Sequence, residues 1–294
     1  MRNAFIKELT ARAELDDSIV LVVGDLGFGV IEDFARRFPS RFYNAGVAEQ
    51  NMIGLCAGLA SEGYHVFAYS IANFPTFRCA EQLRNDVDYH KLPVTIVSVG
   101  GGLAYGNLGY SHHAIQDFAL MRVLPNMLIA APGDPQETRA CLNYLLANPQ
   151  PSYLRLGKSG EQDYHASSPE VSPGTLVPIS LLSSGPSDKL LVTTGGGLGV
   201  AAAWLKDGLF ENYTVASMPL WGMSWKLTQS SILSDFSHIT TVEDHISDAG
   251  FGSWLLECSV ACSASVSIEV RALDRSVLGM VGTQRSLMAR GGLA

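Results

Sequence analysis

Charge is scarce in this sequence, which has neither a basic run nor a long apolar run. Charged side chains make up 16% of the 294 residues, and the formal net charge is −8. An acidic balance without a basic cluster argues against nucleic acid as a partner. No apolar run reaches the length of a transmembrane helix, and the first residues lack the apolar core of a signal peptide. We therefore expect a cytoplasmic protein that neither crosses a membrane nor binds nucleic acid.

Cysteines are also few and scattered. The five lie at positions 56, 79, 141, 258 and 262, and their odd number suits reduced thiols in a cytoplasm. Cys258 and Cys262 are one helical turn apart, but no cluster of histidines or cysteines joins them. Both are therefore predicted to be core residues rather than metal ligands.

The chain does contain a regular alternation of apolar runs and helical patterns. Strands are predicted at 19–23, 65–69, 93–99, 127–131, 152–156, 190–194, 214–218, 239–242 and 265–270, and helices at 3–13, 32–38, 74–89, 135–146, 201–205 and 247–259. This alternation predicts an α/β fold of two doubly wound, mostly parallel domains. The domains are expected at 1–160 and 189–294, joined by a Ser-, Pro- and Gly-rich linker at 161–188.

The stretch from Phe42 to Gly63 organises the first domain. It is predicted to be a loop that leads into an apolar helix, with Glu49 near the helix start and with Gly54 and Gly58 four positions apart. Small residues at that spacing let another backbone approach closely. A carboxyl held in apolar surroundings would be available for proton exchange. The alternative is that Glu49 only complements the helix dipole.

Two loops are further candidates for function. Asp25 follows the first predicted strand, at the edge where open α/β sheets bind ligands. A glycine-rich loop spans 100–109 and leads to His112 and His113, before a helix that starts near Asp117. Adjacent histidines diverge and no third ligand is near, so we predict no metal site there. Phe74 and Phe77 lie three apart, which is also typical of core packing.

Several stretches together resemble the transketolase family. They are Phe42–Met52 (FYNAGVAEQNM), Gly109–His112 (GYSH), Ala119–Met127 (ALMRVLPNM), Ser152–Leu156 (SYLRL), Ala216–Trp221 (ASMPLW) and Thr241–His245 (TVEDH). The chain looks like the pyrimidine-binding domain plus the C-terminal domain of a transketolase. It is most similar to the small, or beta, subunit of split, two-chain transketolases.

The resemblance implies a cofactor and the residues that bind it. In this family an acid at the position of Glu49 hydrogen-bonds N1′ of the aminopyrimidine of thiamine diphosphate, which activates C2 of the thiazolium. Phe74 matches the aromatic residue that stacks on the pyrimidine. Phe77 matches an aromatic residue of single-chain transketolases, where split ones often have a small residue. Asp25 matches an acid near the cofactor.

The resemblance also implies a substrate site. His112 matches the histidine that faces the substrate carbonyl, and His113 stands where the family has glutamine. Arg155 matches a basic residue that binds the sugar phosphate. Asn107 and Leu108 replace the family's Glu-Asp pair, and Gly29 and Gly100 replace a serine and a histidine at the phosphate end of the substrate channel. These departures predict a two-carbon ketol transfer, or related acyloin chemistry, on a non-standard sugar or acceptor.

The family's diphosphate site is missing from these residues. It is a Gly-Asp-Gly sequence with a later asparagine, which together hold Mg²⁺, and no Gly-Asp-Gly occurs here. The resemblance therefore implies that a separate large, or alpha, subunit supplies that site, in an α2β2 assembly. Two alternatives are the beta subunit of a 2-oxoacid dehydrogenase E1 component and a non-catalytic subunit of the same fold. Deoxyxylulose-phosphate synthase is a third relative, but it is a single long chain.

Overall fold

The computed structural model describes residues 1–182 and 185–293. Its strands are β1 (Ile19–Val23), β2 (Phe42–Asn44), β3 (His65–Ile71), β4 (Val94–Val99), β5 (Leu128–Ala130), β6 (Ser152–Leu156), β7 (Val177–Pro178), β8 (Lys189–Thr194), β9 (Thr214–Ser217), β10 (Leu220–Trp221), β11 (His238–Ile246) and β12 (Ser267–Leu273). They form a seven-stranded sheet in the order β10-β5-β6-β4-β3-β1-β2 and a five-stranded sheet in the order β12-β11-β8-β9-β7. Among these strands, only the edge strands β10 and β7 run antiparallel to their neighbours.

Helices flank the two sheets. They are α1 (Arg2–Ala13), α2 (Glu32–Arg37), α3 (Glu49–Ser61), α4 (Ala80–Gln82), α5 (Asp117–Met121), α6 (Pro135–Ala147), α7 (Gly197–Lys206), α8 (Ser230–Asp235), α9 (Phe251–Ala261) and α10 (Gln284–Arg290). The segment after α4, Leu83–Asp88, continues as a π-helix. Across the described ranges, none of these helices combines the length and the apolar character that crossing a membrane requires.

The parallel arrangement of the strands explains why their sequences are continuous apolar runs. β1 and β4 are buried along their whole lengths because helices cover both faces of the sheet. One apolar face of α3, formed by Met52, Ile53 and Cys56, packs on the first sheet in a core that also contains residues of the second sheet. The carboxyl ends of β1, β2, β3, β4 and β6 share one edge, and the loops at that edge carry the candidate site. The α/β prediction is confirmed.

The two sheets are more closely joined than the sequence suggested. β10 comes from the C-terminal part of the chain, yet it pairs with β5 and closes the first sheet. Trp221 of β10 is buried, and its Nε1 donates to Thr194 Oγ1 at 3.1 Å. The predicted linker at 161–188 supplies β7 to the second sheet, and its residues 183 and 184 lie outside the described part of the chain. The proposed domain boundaries stay a prediction.

The prediction of one helix at 74–89 is wrong at its start. Residues 74–76 form a turn, and a 3₁₀ segment at Phe77–Cys79 precedes α4. Pro75 has no N–H to donate, and the Thr76 hydroxyl donates to the carbonyl oxygens of Ala72 and Asn73. These local bonds compete with a continuous helix, and they present the side chains of this turn to the sheet edge.

Candidate active site

Glu49 is the first residue of α3 and lies at the carboxyl edge of the first sheet. Its side chain is 3% exposed, and Gly24, at the end of β1, packs against it: a Cβ on Gly24 would lie 3.7 Å from Glu49 Cγ. The surroundings are not purely apolar as expected, because Arg78 Nη1 donates to Glu49 Oε2 at 3.0 Å. A buried carboxylate with one charged partner is therefore fixed at this edge.

Arg78 links Glu49 to an aromatic pair. Its Cζ lies 4.0 Å from the centroid of the Phe74 ring, which is a stacking distance. The Phe74 ring in turn meets the His112 ring edge-on, with centroids 5.1 Å apart at 69°. Glu49, Arg78, Phe74 and His112 thus form one continuous chain of contacts, built from the three segments that follow β2, β3 and β4.

His112 is held by neighbours in its own loop. Its Nδ1 lies 3.0 Å from Ser111 Oγ, and its ring faces the Tyr105 ring edge-on at 6.3 Å. Partial burial lowers the pKa of His112, and the nearby charges of Arg78 and His113 lower it further. The lowered pKa favours the neutral imidazole, and because Nδ1 faces Ser111, Nε2 is the ring nitrogen left for another partner.

A cavity of about 300 Å³ opens beside these groups. Its walls are Asn73, Phe74, Phe77, Arg78, Tyr110, Ser111 and Gln116. Phe77 is exposed, so core packing is the wrong interpretation for this residue. Phe77 lies next to the chain of contacts from Glu49 to His112, but no described contact joins it to that chain.

Asp25 lies in the loop that follows β1, next to Gly24. Its carboxylate is exposed and accepts a bond from Asn44 Nδ2 at 2.9 Å, and its own N–H donates to Asn44 Oδ1 at 3.1 Å. Its φ of 54° is in the left-handed region that residues other than glycine seldom adopt. Asp25 and Asn44 therefore brace the loops after β1 and β2 against each other.

Arg155 is placed differently from the expectation. Its side chain is 2% exposed, with Nε donating to Asp117 at 2.7 Å, Nη1 to Asp244 at 2.6 Å and Nη2 to the Ala114 carbonyl at 2.8 Å. One face of the guanidinium lies over Phe118, with Cζ 4.5 Å from the ring centroid. A sugar phosphate could bind Arg155 only by replacing protein contacts.

The Gly101 backbone lies close against the same guanidinium. A Cβ on Gly101 would lie 2.7 Å from Arg155 Cζ, which is too close for any side chain at that position. Arg155 is therefore enclosed between Phe118 and the loop, at the joint between the two sheets.

His113 also points inward. Its ring is buried, with Nε2 3.2 Å from the Gly106 carbonyl oxygen. The loop from β4 to His113 has a second unexpected feature, because the Tyr105 ring fills the space beside Gly100. A Cβ on Gly100 would lie 2.1 Å from that ring. Tyr105 therefore occupies the region that a side chain at position 100 would line.

The sequence did not single out Arg78, Ser111 or Tyr105. Arg78 lies within the segment that was predicted as a plain helix, and its partner Glu49 is 29 positions away in the sequence. The glycine-rich loop is the signal that could have revealed Tyr105, since three glycines in a row, at 100–102, leave room for a nearby aromatic ring. Among residues 1–182 and 185–293 no group of three or more His, Cys, Asp or Glu side chains is arranged to hold a metal ion.

Comparison with known proteins gives a consistent family. Residues 1–161 match the family described as transketolase, pyrimidine binding domain. The chain is 38% identical over 165 residues to one subunit of the apulose-4-phosphate transketolase of Phocaeicola vulgatus, a match that covers 56% of this chain and 53% of that protein. It is 33% identical over 260 residues to a putative transketolase C-terminal section of Methanocaldococcus jannaschii, which covers 87% of this chain and 81% of that protein.

A solved structure has the same fold. It is described as a split gene transketolase, inactive beta4 tetramer, and superposes with a TM-score of 0.81 at 29% sequence identity. The superposition covers 100% of this chain and 93% of that chain, so both sheets are included.

Proposed function

Because this chain belongs to the transketolase family, we propose that it is the beta subunit of a split, thiamine-diphosphate-dependent transketolase-like transferase. The reaction is the transfer of a two-carbon ketol unit between sugars or sugar phosphates. The observation that carries the proposal is the contact chain from Glu49 through Arg78 and Phe74 to His112. It combines a buried carboxylate, a planar aromatic surface and a neutral imidazole at one sheet edge.

The residues present fit the aminopyrimidine of thiamine diphosphate. Glu49 offers a fixed carboxylate that can accept the N–H of the ring when N1′ is protonated, and Phe74 offers a ring for stacking. In the structure the Arg78 guanidinium, which is also a planar N–H donor, makes the same two contacts. It stacks on Phe74 and donates to Glu49. When bound, the cofactor would supply the nucleophilic carbon of the reaction.

The remaining chemistry falls to side chains of this chain. Glu49 would exchange a proton with the aminopyrimidine and hold its orientation. His112, neutral and braced by Ser111, would bond the substrate oxygen through Nε2. We propose that Asp25 lies at the edge of the cofactor site together with Phe77, and that His113 lies at the edge of the substrate site. Arg155 could bind the substrate only if the substrate displaces its present protein contacts.

A separate alpha subunit would hold the diphosphate and its Mg²⁺. These 294 residues contain no Gly-Asp-Gly sequence, and the related beta4 tetramer is described as inactive, which supports a need for a second kind of chain. An apolar surface beside Glu49 suits such a partner, since Val47 is 72% and Leu55 38% exposed. Gly54 has open space around it on the same helix. We propose an α2β2 complex, placed in the cytoplasm because all five cysteines are free thiols.

Calorimetric titration of thiamine diphosphate with Mg²⁺ tests the shared site. We expect no binding to this chain alone and clear binding after the alpha subunit is added. Tight binding to this chain alone would contradict the proposal of a diphosphate site on another chain.

The substrate is tested by a separate assay. Asn107 and Leu108 stand where the family has Glu-Asp, and the Tyr105 ring lies beside Gly100. Both differences support the proposal that the substrate is a sugar other than the common pentose phosphates. We expect the complex to transfer ketol units far more slowly from xylulose 5-phosphate to ribose 5-phosphate than an ordinary transketolase. Equal rates would contradict a non-standard substrate.

A further inference from the structure

Arg78 makes the two contacts that an aminopyrimidine would need at this site. Its guanidinium is flat, it donates from Nη1 to Glu49 Oε2 at 3.0 Å, and its Cζ lies 4.0 Å above the Phe74 ring. A stacked aminopyrimidine that is protonated at its ring nitrogen, with that N–H directed at Glu49, would use the same acceptor and the same ring face. Two planar groups cannot occupy one stacking position, because 4.0 Å leaves no room for a second layer.

Of the two groups in the ion pair, Arg78 is the one that can leave. Glu49 is 3% exposed and fixed on α3, whereas the Arg78 side chain is 49% exposed and lies on a short 3₁₀ turn. A half-exposed ion pair is weak, since solvent screens it and the long side chain loses rotamer freedom. The bond to Glu49 is therefore readily exchanged for one from a ligand.

We propose that Arg78 holds the place of the aminopyrimidine between Phe74 and Glu49, and that cofactor binding displaces it. This inference rests on the proposed function and names a positioning residue for it. Arg78 keeps the buried carboxylate paired and oriented until the ligand N–H replaces the guanidinium N–H. One hydrogen bond and one stacking contact break, and one of each forms, so the exchange leaves no buried group without a partner.

The displacement has a measurable consequence for affinity. A site that is occupied by its own side chain binds a ligand more weakly, in proportion to the fraction of molecules in which the site is open. Removing the guanidinium should therefore tighten binding, on the order of fivefold for an ion pair of this exposure. A purely structural role for Arg78 predicts weaker binding instead.

The test uses the complex of this chain with its diphosphate-binding subunit. Thiamine diphosphate with Mg²⁺ is titrated by calorimetry into wild type, Arg78→Met and Arg78→Lys. Methionine keeps the length and apolar stem without a donor, and lysine keeps the charge without the flat stacking surface. We expect Arg78→Met to bind about fivefold tighter and Arg78→Lys to lie between it and wild type. Unchanged or weaker binding by Arg78→Met would overturn the inference.

A second measurement needs no variant. Phenylglyoxal modifies exposed arginines, and the modified position can be read by mass spectrometry. In the wild-type complex we expect Arg78 to react faster when thiamine diphosphate and Mg²⁺ are present, because the guanidinium has left its pocket. Slower reaction would overturn the inference. If the wild-type complex binds no thiamine diphosphate at all, the proposed function fails together with this inference; binding with a protected Arg78 overturns this inference alone.

Discussion

Arg155 and Asp244 join the two sheets through a buried ion pair, with Nη1 2.6 Å from Oδ1. Arg155 lies on β6 of the first sheet and Asp244 on β11 of the second. The same guanidinium also binds Asp117, which accepts a further bond from Tyr153 Oη. The arginine that the family resemblance assigned to the substrate therefore serves, in this structure, as the ionic link between the two halves.

Replacing Arg155 should destabilise the fold. Arg155→Met leaves two buried carboxylates without their cation, which costs about 3 kcal/mol or more. Urea unfolding followed by circular dichroism measures the loss. Lys158→Met is the matched control, since Lys158 is an exposed cation three positions away, and its change should stay within about 0.5 kcal/mol. A stable Arg155→Met protein with a raised KM for phosphorylated sugars would instead return Arg155 to the substrate site.

Glu49→Gln should abolish turnover without disturbing assembly. The amide is the same size and can still bond Arg78, but it cannot exchange a proton with the aminopyrimidine. We expect kcat of the complex to fall by about 10²- to 10⁴-fold, measured under saturating cofactor. Glu62→Gln, an exposed residue just past the end of α3, is the control. Unaffected turnover would favour a non-catalytic role for this subunit.

Local sequence patterns were sufficient to predict the strands and helices whose bounds are set by neighbouring residues. β1 was predicted at its observed bounds because its continuous apolar run is buried on both faces. α6 was predicted to within a residue because Pro135 sits in its first turn, where Asp134 accepts the N–H of Glu137 as a helix cap. The stretch around Glu49 pointed to that residue, and the family resemblance pointed to Phe74 and His112. The structure brings those three into one chain of contacts.

The features that the sequence did not predict depend on contacts between segments that are distant along the chain. β10 is only two residues long, so it shows no periodicity, and its pairing with β5 exists only once both sheets have formed. Arg78 was missed because its segment has the pattern of a continuous helix, whereas the residue lies on a 3₁₀ turn and its partner Glu49 is 29 positions away. Arg155 was assigned by resemblance, and the sequence could not reveal that Asp117 and Asp244 would bind its guanidinium.

The pKa of His112 should depend on Arg78. A nearby cation disfavours the protonated imidazole, so removing it raises the pKa towards the ordinary value. We expect Arg78→Met to shift the His112 titration to higher pH in an NMR experiment, with the signal assigned through a His112→Gln protein. Arg84→Met removes an exposed arginine elsewhere and should leave the titration unchanged. An unchanged curve in Arg78→Met would show that burial and His113, without Arg78, set this pKa.

A second buried ionic cluster ties the predicted linker to both sheets. His165 Nδ1 lies 2.9 Å from Asp134 Oδ2, and its Nε2 faces Glu137 Oε1 at 3.8 Å. Glu137 also accepts bonds from Ser217 Oγ on β9 and from the Gly133 N–H. Burial raises the pKa of Glu137 to about 7, although these hydrogen bonds and the charge of His165 lower it. Burial alone would lower the pKa of His165, but the bond to Asp134 and the charges of Glu137 and Asp134 raise it.

This cluster should make stability fall as pH rises. Both groups hold a proton more firmly in the folded than in the unfolded chain, so folding takes up protons in this range. The stabilisation is fully present below about pH 4.5, the usual pKa of a free glutamate, and is lost as pH rises through about 7. Glu137→Gln removes the titrating carboxyl but can keep a bond to Ser217. We expect the Tm of wild type relative to Glu137→Gln to drop between pH 5 and pH 8 in scanning calorimetry. Glu170→Gln, an exposed carboxyl of the linker, should give no such pH-dependent difference. A wild-type advantage that grows with pH would mean that Glu137 is ionised in the fold and that His165 carries the shared proton.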